Sequence, residues 1–206
     1  PAHNEAAVIE QKIANLDALD YPRVRLEIIL VCDGCTDQTV ALARRAVARC
    51  NSETRFWIVD LTRNIGKIAV LNRAIGATSA DVVVLSDASA IVERDALLRI
   101  AHHFANPRVG VVAATYRLGD TGSEGERAYW VYQTRIKLAE ARLAAPIGVH
   151  GAFYAFRRAA WTPLEPDTIN DDVILPMRIV ATGLSAIYDP QIVATELERT
   201  QAQQDL

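Results

Sequence analysis

The chain has 206 residues, half of them hydrophobic and 23% charged, with a formal net charge of -3. That is the size and balance of one globular domain, large enough to bury roughly 70% of its unfolded surface. The 22 basic residues are scattered among 25 acidic ones without a stripe or patch, so a nucleic-acid-binding surface is excluded. The longest apolar runs, such as Val82 to Leu85, have the length of a strand and fall far short of the ~20 residues that cross a bilayer.

In chain order, Glu5 to Leu16 reads as a helix with Ile9, Ile13 and Leu16 on one face. Leu26 to Cys32 is a short apolar strand, and Thr36 to Arg49 is an alanine-rich helix with Thr36 as its N-cap. Arg55 to Asp60 is a strand, Gly66 to Ala77 a helix, and Asp81 to Ser86 a near-continuous apolar strand of the kind covered on both faces. Glu93 to Phe104 is helical and Val109 to Ala113 a strand. The polar stretch Arg117 to Glu126 reads as a mobile loop, followed by a helix over Arg127 to Leu143. Ala152 to Phe156 is a strand, and Pro163 to Asp167 a loop. Asp171 to Thr182 is a helix despite Pro176, closed by Gly183, and Ser185 to Tyr188 and Ile192 to Thr195 are short strands. This alternation predicts an α/β domain with a largely parallel sheet.

In open α/β sheets ligands bind outside the carboxyl ends of the strands. Polar residues gather at those positions here: Asp33 and Asp37 after the first strand, Asn64, Gly66 and Lys67 after the second, Asp87 and Ser89 after the third. His3, Asn4 and Glu5 stand before the first helix. Any one of these clusters could be an ordinary turn or helix cap; the recurrence at equivalent sheet positions argues for a site. The residue types suit a nucleoside diphosphate. Asp33 can accept hydrogen bonds from a base or ribose, and Asn64 and Lys67 can donate to base or phosphates. Gly66 allows close backbone approach, and Asp87 can hold ribose or a divalent cation.

Cys32 and Cys35 form a C-x-x-C whose functional readings are a redox pair or half a zinc site. Zinc would need two further ligands at matching spacing, and only Cys50 and four scattered histidines remain. Asp33, between the cysteines, opposes a thiolate. The reading taken is two small buried side chains in a reducing compartment.

Pro1-Ala2-His3-Asn4-Glu5, Cys32-Asp33-Gly34-Cys35-Thr36-Asp37 and Asn64-Ile65-Gly66-Lys67 through Ile75 resemble, in this order, the motifs of family 2 glycosyltransferases. Asp87-Ala88-Ser89 stands where that family has D-x-D. Gly148 to Arg158 resembles its stretch beside the donor sugar, and Asn170-Asp171-Asp172 stands at its E-D pair. The likeness is greatest to the membrane-associated bacterial subgroup that makes cell-surface polysaccharide or glycolipid. It implies an α/β GT-A fold, a Rossmann-like, mixed, mostly parallel sheet with helices on both faces, filling one domain over 1–206, with a nucleotide-binding half at 1–115 and an acceptor half at 116–206. It also implies an inverting transfer from a nucleoside-diphosphate sugar, uridine diphosphate being the commonest carrier, to a hydroxyl on a glycan or lipid-linked acceptor. By residue, Asn4, Glu5, Asp33, Asn64, Gly66 and Lys67 would line the nucleotide site. Asp87 would hold ribose, diphosphate or a Mn or Mg ion. His150, Gly151 and Asp171 would lie by the sugar, and Asp172 would be the catalytic base. The implied location is the cytoplasmic face of the inner membrane, with membrane contact through segments outside this soluble chain.

Three departures shape the expectations. Ser89 replaces an aspartate, so a divalent ion should bind weakly without nucleotide. The family has an apolar strand before P-x-x-N-E, whose loss would expose two strand edges. Its membrane-bound members continue into a Q-x-x-R-W motif and membrane helices, so the chain is expected to be truncated at both ends. A sugar-1-phosphate nucleotidyltransferase would need a glycine-rich basic loop after its first strand, and P-A-H-N-E is not one. The absence of G-x-G-x-x-G sets aside other Rossmann-like enzymes. A non-catalytic nucleotide-sugar-binding domain stays open as an alternative.

Overall fold

The structure is a computed structural model and describes residues 1–51, 53–118 and 148–197. The predicted loop over Arg117 to Glu126, beyond its first two residues, and the predicted helix over Arg127 to Leu143 lie outside the described residues. The elements are α1 (Ile9–Asp17), β1 (Glu27–Asp33), α2 (Thr39–Val47), β2 (Arg55–Leu61), α3 (Lys67–Ala77) and β3 (Val82–Ser86). There follow β4 (Ala90–Val92), α4 (Ala96–Phe104), β5 (Val109–Leu118), β6 (Phe153–Arg157), α5 (Asp171–Ala181) and β7 (Ser185–Glu196). No helix among the described residues is long and apolar enough to cross a membrane.

The strands form a parallel pair, β1–β2, and a five-stranded sheet in the order β3-β6-β5-β7-β4. Within the larger sheet β5–β7 is parallel, while β3–β6, β6–β5 and β7–β4 are antiparallel. The sheet is therefore mixed, as expected, with a smaller parallel share than the helix–strand alternation suggests. Ala2 also lies against β1 as a parallel bridge to Cys32, its N–H donating to the Val31 carbonyl and its own carbonyl accepting from Asp33.

Strand alternation sends successive side chains to opposite faces, and the core divides accordingly. Val112, Ala114, Phe153 and Ala155 pack with Leu97, Ile100 and Phe104 of α4. Their neighbours Val111, Ala113, Tyr154 and Phe156 pack with Ile68, Leu71 and Ile75 of α3 and Leu175 and Ile179 of α5. A smaller cluster joins Ile9 and Ile13 of α1 to Ala43 and Ala46 of α2. Helices cover both faces, so each loop leaving a strand is held between packed layers.

Several boundaries move for identifiable reasons. Helix α1 starts at Ile9 rather than Glu5; ahead of it the Glu5 and Ala6 N–H groups donate to Thr39 Oγ1 and Asp37 Oδ2. Helix α2 starts at Thr39, and Thr36 is not its cap; the Thr36 N–H instead donates to Asn4 Oδ1 at 2.8 Å. The two short strands predicted at the end are one strand, β7, whose pairing with β5 is irregular between Ala114 and Thr115.

Candidate active site

Asp33 ends β1 and is 3% exposed. Burying a carboxylate demands hydrogen-bond donors, and they come from the second motif: Ile65 N–H to Oδ1 at 2.8 Å and Gly66 N–H to Oδ2 at 3.0 Å. The two motif loops touch so closely that Gly34, at φ +62°, has room for no side chain; a Cβ there would lie 2.1 Å from the Asn64 nitrogen. Asn64 Oδ1 accepts from the same Gly66 N–H at 2.9 Å, and its amide meets His3 Nδ1 at 3.3 Å. Asn4, at φ +58°, uses its side chain to hold Thr36. Asn4 and Asp33 thus fix the loops that carry the other polar groups. One lone pair on each Asp33 oxygen remains for a ligand.

Glu5, Asp33, Asn64, Gly66, Lys67 and Asp87 come together on one cleft of about 320 Å³ that also includes His3 and Ser89. A larger cavity, about 510 Å³, lies between the β1–β2 pair and α3 and is lined mostly by apolar groups such as Ile29, Val31, Trp57, Val59 and Val70. The smaller cleft is the chemical site, because the polar strand ends converge there. Asn4, expected in the site, is not among the lining residues, its side-chain oxygen being engaged with Thr36. Asp87 follows β3, and burial raises its carboxyl above the ordinary value, opposed by Lys67 and reinforced by Glu196.

The second part of the site is built on the N-terminus of α5, which begins with Asp171 and Asp172. Carboxylates are favoured at this end of a helix. Asp171 is 5% exposed and accepts an ion-pair hydrogen bond from Lys67 Nζ at 2.9 Å. Burial pulls the Lys67 ammonium down, but this bond and the charges of Asp171, Asp87 and Asp172 outweigh it and hold the ammonium above its ordinary value. Asp172 is half-buried; burial first, then the charge of Asp171, raises its carboxyl above 3.8. Gly151 abuts it, since a Cβ on that glycine would stand 3.3 Å from Asp172 Oδ2.

Pro176 explains how the 148–151 stretch is held there. A proline has no N–H to give the carbonyl four residues before it, so the Asp172 carbonyl is free of its helical partner. It accepts the Val149 N–H at 2.9 Å instead. His150, one residue on, stacks on Tyr116 with ring centroids 3.9 Å apart. It is not among the residues that line the cleft of about 320 Å³.

The C-x-x-C carries no reactive thiolate at Cys32. Burial, followed by Cys35 and Asp60, pushes that thiol up to about 12. All three cysteines are free, and no group of three potential metal ligands occurs among the described residues. Sequence reasoning passed over Thr39, fully buried and bonded to Glu5 N–H at 2.7 Å, and Lys12, a buried lysine of α1.

A polar cleft at the carboxyl edge of a mixed α/β sheet is thus joined by the Lys67–Asp171 ion pair to the start of α5, which also carries Asp172. The family profile described as "Glycosyltransferase like family 2" matches residues 1–205, and the chain belongs to that family. The poly-beta-1,6-N-acetyl-D-glucosamine synthase of Staphylococcus aureus strain COL is 28% identical over 196 residues, covering 91% of this chain and 46% of the relative. An N-acetylglucosaminyltransferase of Azorhizobium caulinodans is 26% identical, covering 96% of this chain and 53% of the relative. The chain thus spans about half the length of these curated relatives. Among solved structures, the mannosyltransferase PcManGT from Pyrobaculum calidifontis, in complex with GDP-Man and Mn2+, superposes with a TM-score of 0.85 at 29% identity. That match covers 98% of this chain and 56% of the other. Staphylococcus aureus TarS in complex with UDP-GlcNAc shares the fold, with a TM-score of 0.71 at 18% identity over 97% of this chain and 58% of the other. The expected GT-A architecture is therefore present.

Proposed function

We propose that this chain is the donor-binding and catalytic domain of an inverting glycosyltransferase. It moves a sugar from a nucleoside-diphosphate sugar to a hydroxyl of a polysaccharide or glycolipid acceptor, at the cytoplasmic face of a bacterial membrane. A UDP-linked donor is favoured by the N-acetylglucosamine-transferring relatives. The observation that carries the reading is the Lys67–Asp171 ion pair. It ties the nucleotide cleft to the helix bearing Asp172, so donor and base belong to one site.

Inverting transfer is one in-line displacement. The acceptor oxygen attacks the anomeric carbon, its proton passes to an Asp172 carboxylate oxygen, and the bond from carbon to diphosphate oxygen breaks with its electron pair on the diphosphate. Asp172 suits the base role because its raised proton affinity matches the task better than an exposed aspartate would. Lys67 offers positive charge to the departing diphosphate, and Glu5, Asp33 and Asn64 frame the nucleoside. The hard oxygen donors of Asp87 and Ser89 would hold a Mn or Mg ion, though one carboxylate is a thin protein share of its coordination. Such an ion would neutralise charge on the leaving group.

Thermal-shift titration with UDP-GlcNAc, UDP-Glc and GDP-Man, each with and without Mn²⁺, tests the binding half, because a ligand of the native state raises its stability. Release of nucleoside diphosphate by the intact protein on adding acceptor tests the transfer. Ser89 favours one second reading, a domain that binds nucleotide-sugar without turning it over; binding without release would select it.

A further inference from the structure

Lysine is almost never fully buried unless paired, yet Lys12 of α1 is 4% exposed. Its Nζ donates to Ser86 Oγ at 2.5 Å and to the Ala90 carbonyl. These two acceptors bracket the Asp87-Ala88-Ser89 loop: Ser86 is the last residue of β3 and Ala90 the first of β4. Two further contacts close the loop from its sides, Asp87 N–H on the Ala152 carbonyl and Leu197 N–H on the Ser89 carbonyl. Lys12 alone of these crosses from another layer with a charge, and the opposite charges acting on it are Asp87 and Glu196.

The same helix has a second connection to the cleft. The Glu5 carbonyl accepts the Val8 and Ile9 N–H groups at the start of α1, so one short rod joins the Glu5 corner to the Asp87 corner. We infer that Lys12 is a positioning residue: from α1 it holds both ends of the 86–90 loop and balances Asp87 and Glu196, so that Asp87 and Ser89 face the cleft before nucleotide arrives. The inference rests on the nucleotide-sugar reading above.

The charge carries a cost, which is a reason to expect a role. Burial drags the Lys12 ammonium from 10.5 down to about 8, against the pull of Asp87 and Glu196. A methionine of similar shape would avoid that desolvation while leaving Ser86 and Ala90 short of a donor. Asn15, one turn further along, supplies the structural control. It grips the same chain segment with two hydrogen bonds to Val92, at 2.8 and 3.1 Å, and brings no charge.

The test is calorimetric titration of the intact protein with UDP and with GDP in the presence of Mn²⁺. It compares wild type with Lys12→Met, Ser86→Ala and Asn15→Ala, and Tm and far-UV circular dichroism are read for each. Lys12→Met is expected to weaken nucleotide binding roughly 10-fold or more, the scale of a lost charged hydrogen bond, while keeping a folded spectrum. In transfer assays the loss should appear in the donor KM and not in the acceptor KM. Ser86→Ala, a milder change certain to keep more of the packing, should weaken binding a few-fold in the same direction. Asn15→Ala should lower Tm and leave nucleotide affinity as it was. Wild-type affinity in both Lys12→Met and Ser86→Ala overturns the inference, as does equal weakening by Asn15→Ala. If wild type binds neither nucleotide, the underlying reading fails, and the inference with it.

Discussion

The two halves of the site are held in different ways. On the side proposed for the nucleotide, polar groups are fixed by one another: Asp33 by the Ile65 and Gly66 N–H groups, Thr36 by Asn4, Glu5 by Thr39. On the side proposed for the acceptor, Asp172 stands at a helix start held by its carbonyl, which Pro176 releases, and against Gly151. Satisfied buried networks are rigid and unforgiving of a lost partner; Asp172 is only half-buried, and burial and the charge of Asp171 raise its affinity for a proton. Changes on the first side should therefore act on binding and stability, and changes on the second on rate.

The largest effect should come from Asp172→Asn. The side chain keeps its shape and loses the ability to accept a proton, so transfer should fall about 10²- to 10⁴-fold. Donor affinity should be unchanged in the same assay. A wild-type rate would show that Asp172 is not the base and would dissolve the contrast between the halves. The pH profile gives a second check. The base works only when ionised, and burial holds its carboxyl above 3.8. The rate should therefore fall as pH drops through a value higher than that of an exposed aspartate.

Gly34→Ala is the corresponding break on the nucleotide side. A left-handed backbone costs a non-glycine residue about 1–3 kcal/mol, and the new Cβ meets the Asn64 backbone, which cannot swing aside. Tm should drop and nucleotide binding should weaken together. Binding lost with Tm intact would mean the loops are less tightly coupled than their contacts indicate.

Asp171→Asn probes the joint between the halves. Lys67 is 47% exposed, so the ion pair is worth only about 1 kcal/mol or less of stability. Donor affinity should change a few-fold, because Lys67 loses its fixed position. The acid limb of the rate profile should move to lower pH, since the charge of Asp171 is the second cause raising Asp172. An unmoved limb would separate Asp171 from the base electrostatically.

Much of the frame was legible in the sequence. The order of strands and helices, the convergence of Glu5, Asp33, Asn64, Gly66, Lys67 and Asp87, and the placing of Asp171 and Asp172 at a helix start all follow from pattern and motif. What escaped was set by tertiary contacts. Strand β4 has three residues, too few to show a period. Ahead of α1 and α2, the Glu5 and Thr36 N–H groups are each taken by a side chain from the other segment. Pro176 read as a blemish in a helix, whereas its missing N–H serves the Val149 contact. Lys12 did leave a trace: it falls between Ile9, Ile13 and Leu16 on the apolar face assigned to α1. A lysine inside such a stripe is a buried charge that needs partners, and those partners, Ser86 and Ala90, lie far along the chain.

The smallest expected effect concerns the divalent ion, and it sharpens the contrast from the nucleotide side. Asp87 is the one carboxylate of the D-x-D position, because Ser89 offers only a hydroxyl. Burial already favours the protonated form of Asp87, and a proton and a cation compete for the same oxygens. Lys12 and Lys67 add positive charge nearby, which further disfavours a bare cation. A diphosphate reverses this balance, since it brings negative oxygens that can share the ion with Asp87. Calorimetry with Mn²⁺ alone should therefore register almost no heat, and Mn²⁺ added after UDP should register clear binding. Asp87→Asn should abolish the second signal while leaving the first as small as before. Tight Mn²⁺ binding to the nucleotide-free protein would mean that another group supplies the missing carboxylate, and Glu196, whose charge already acts on Asp87, is the residue to substitute next.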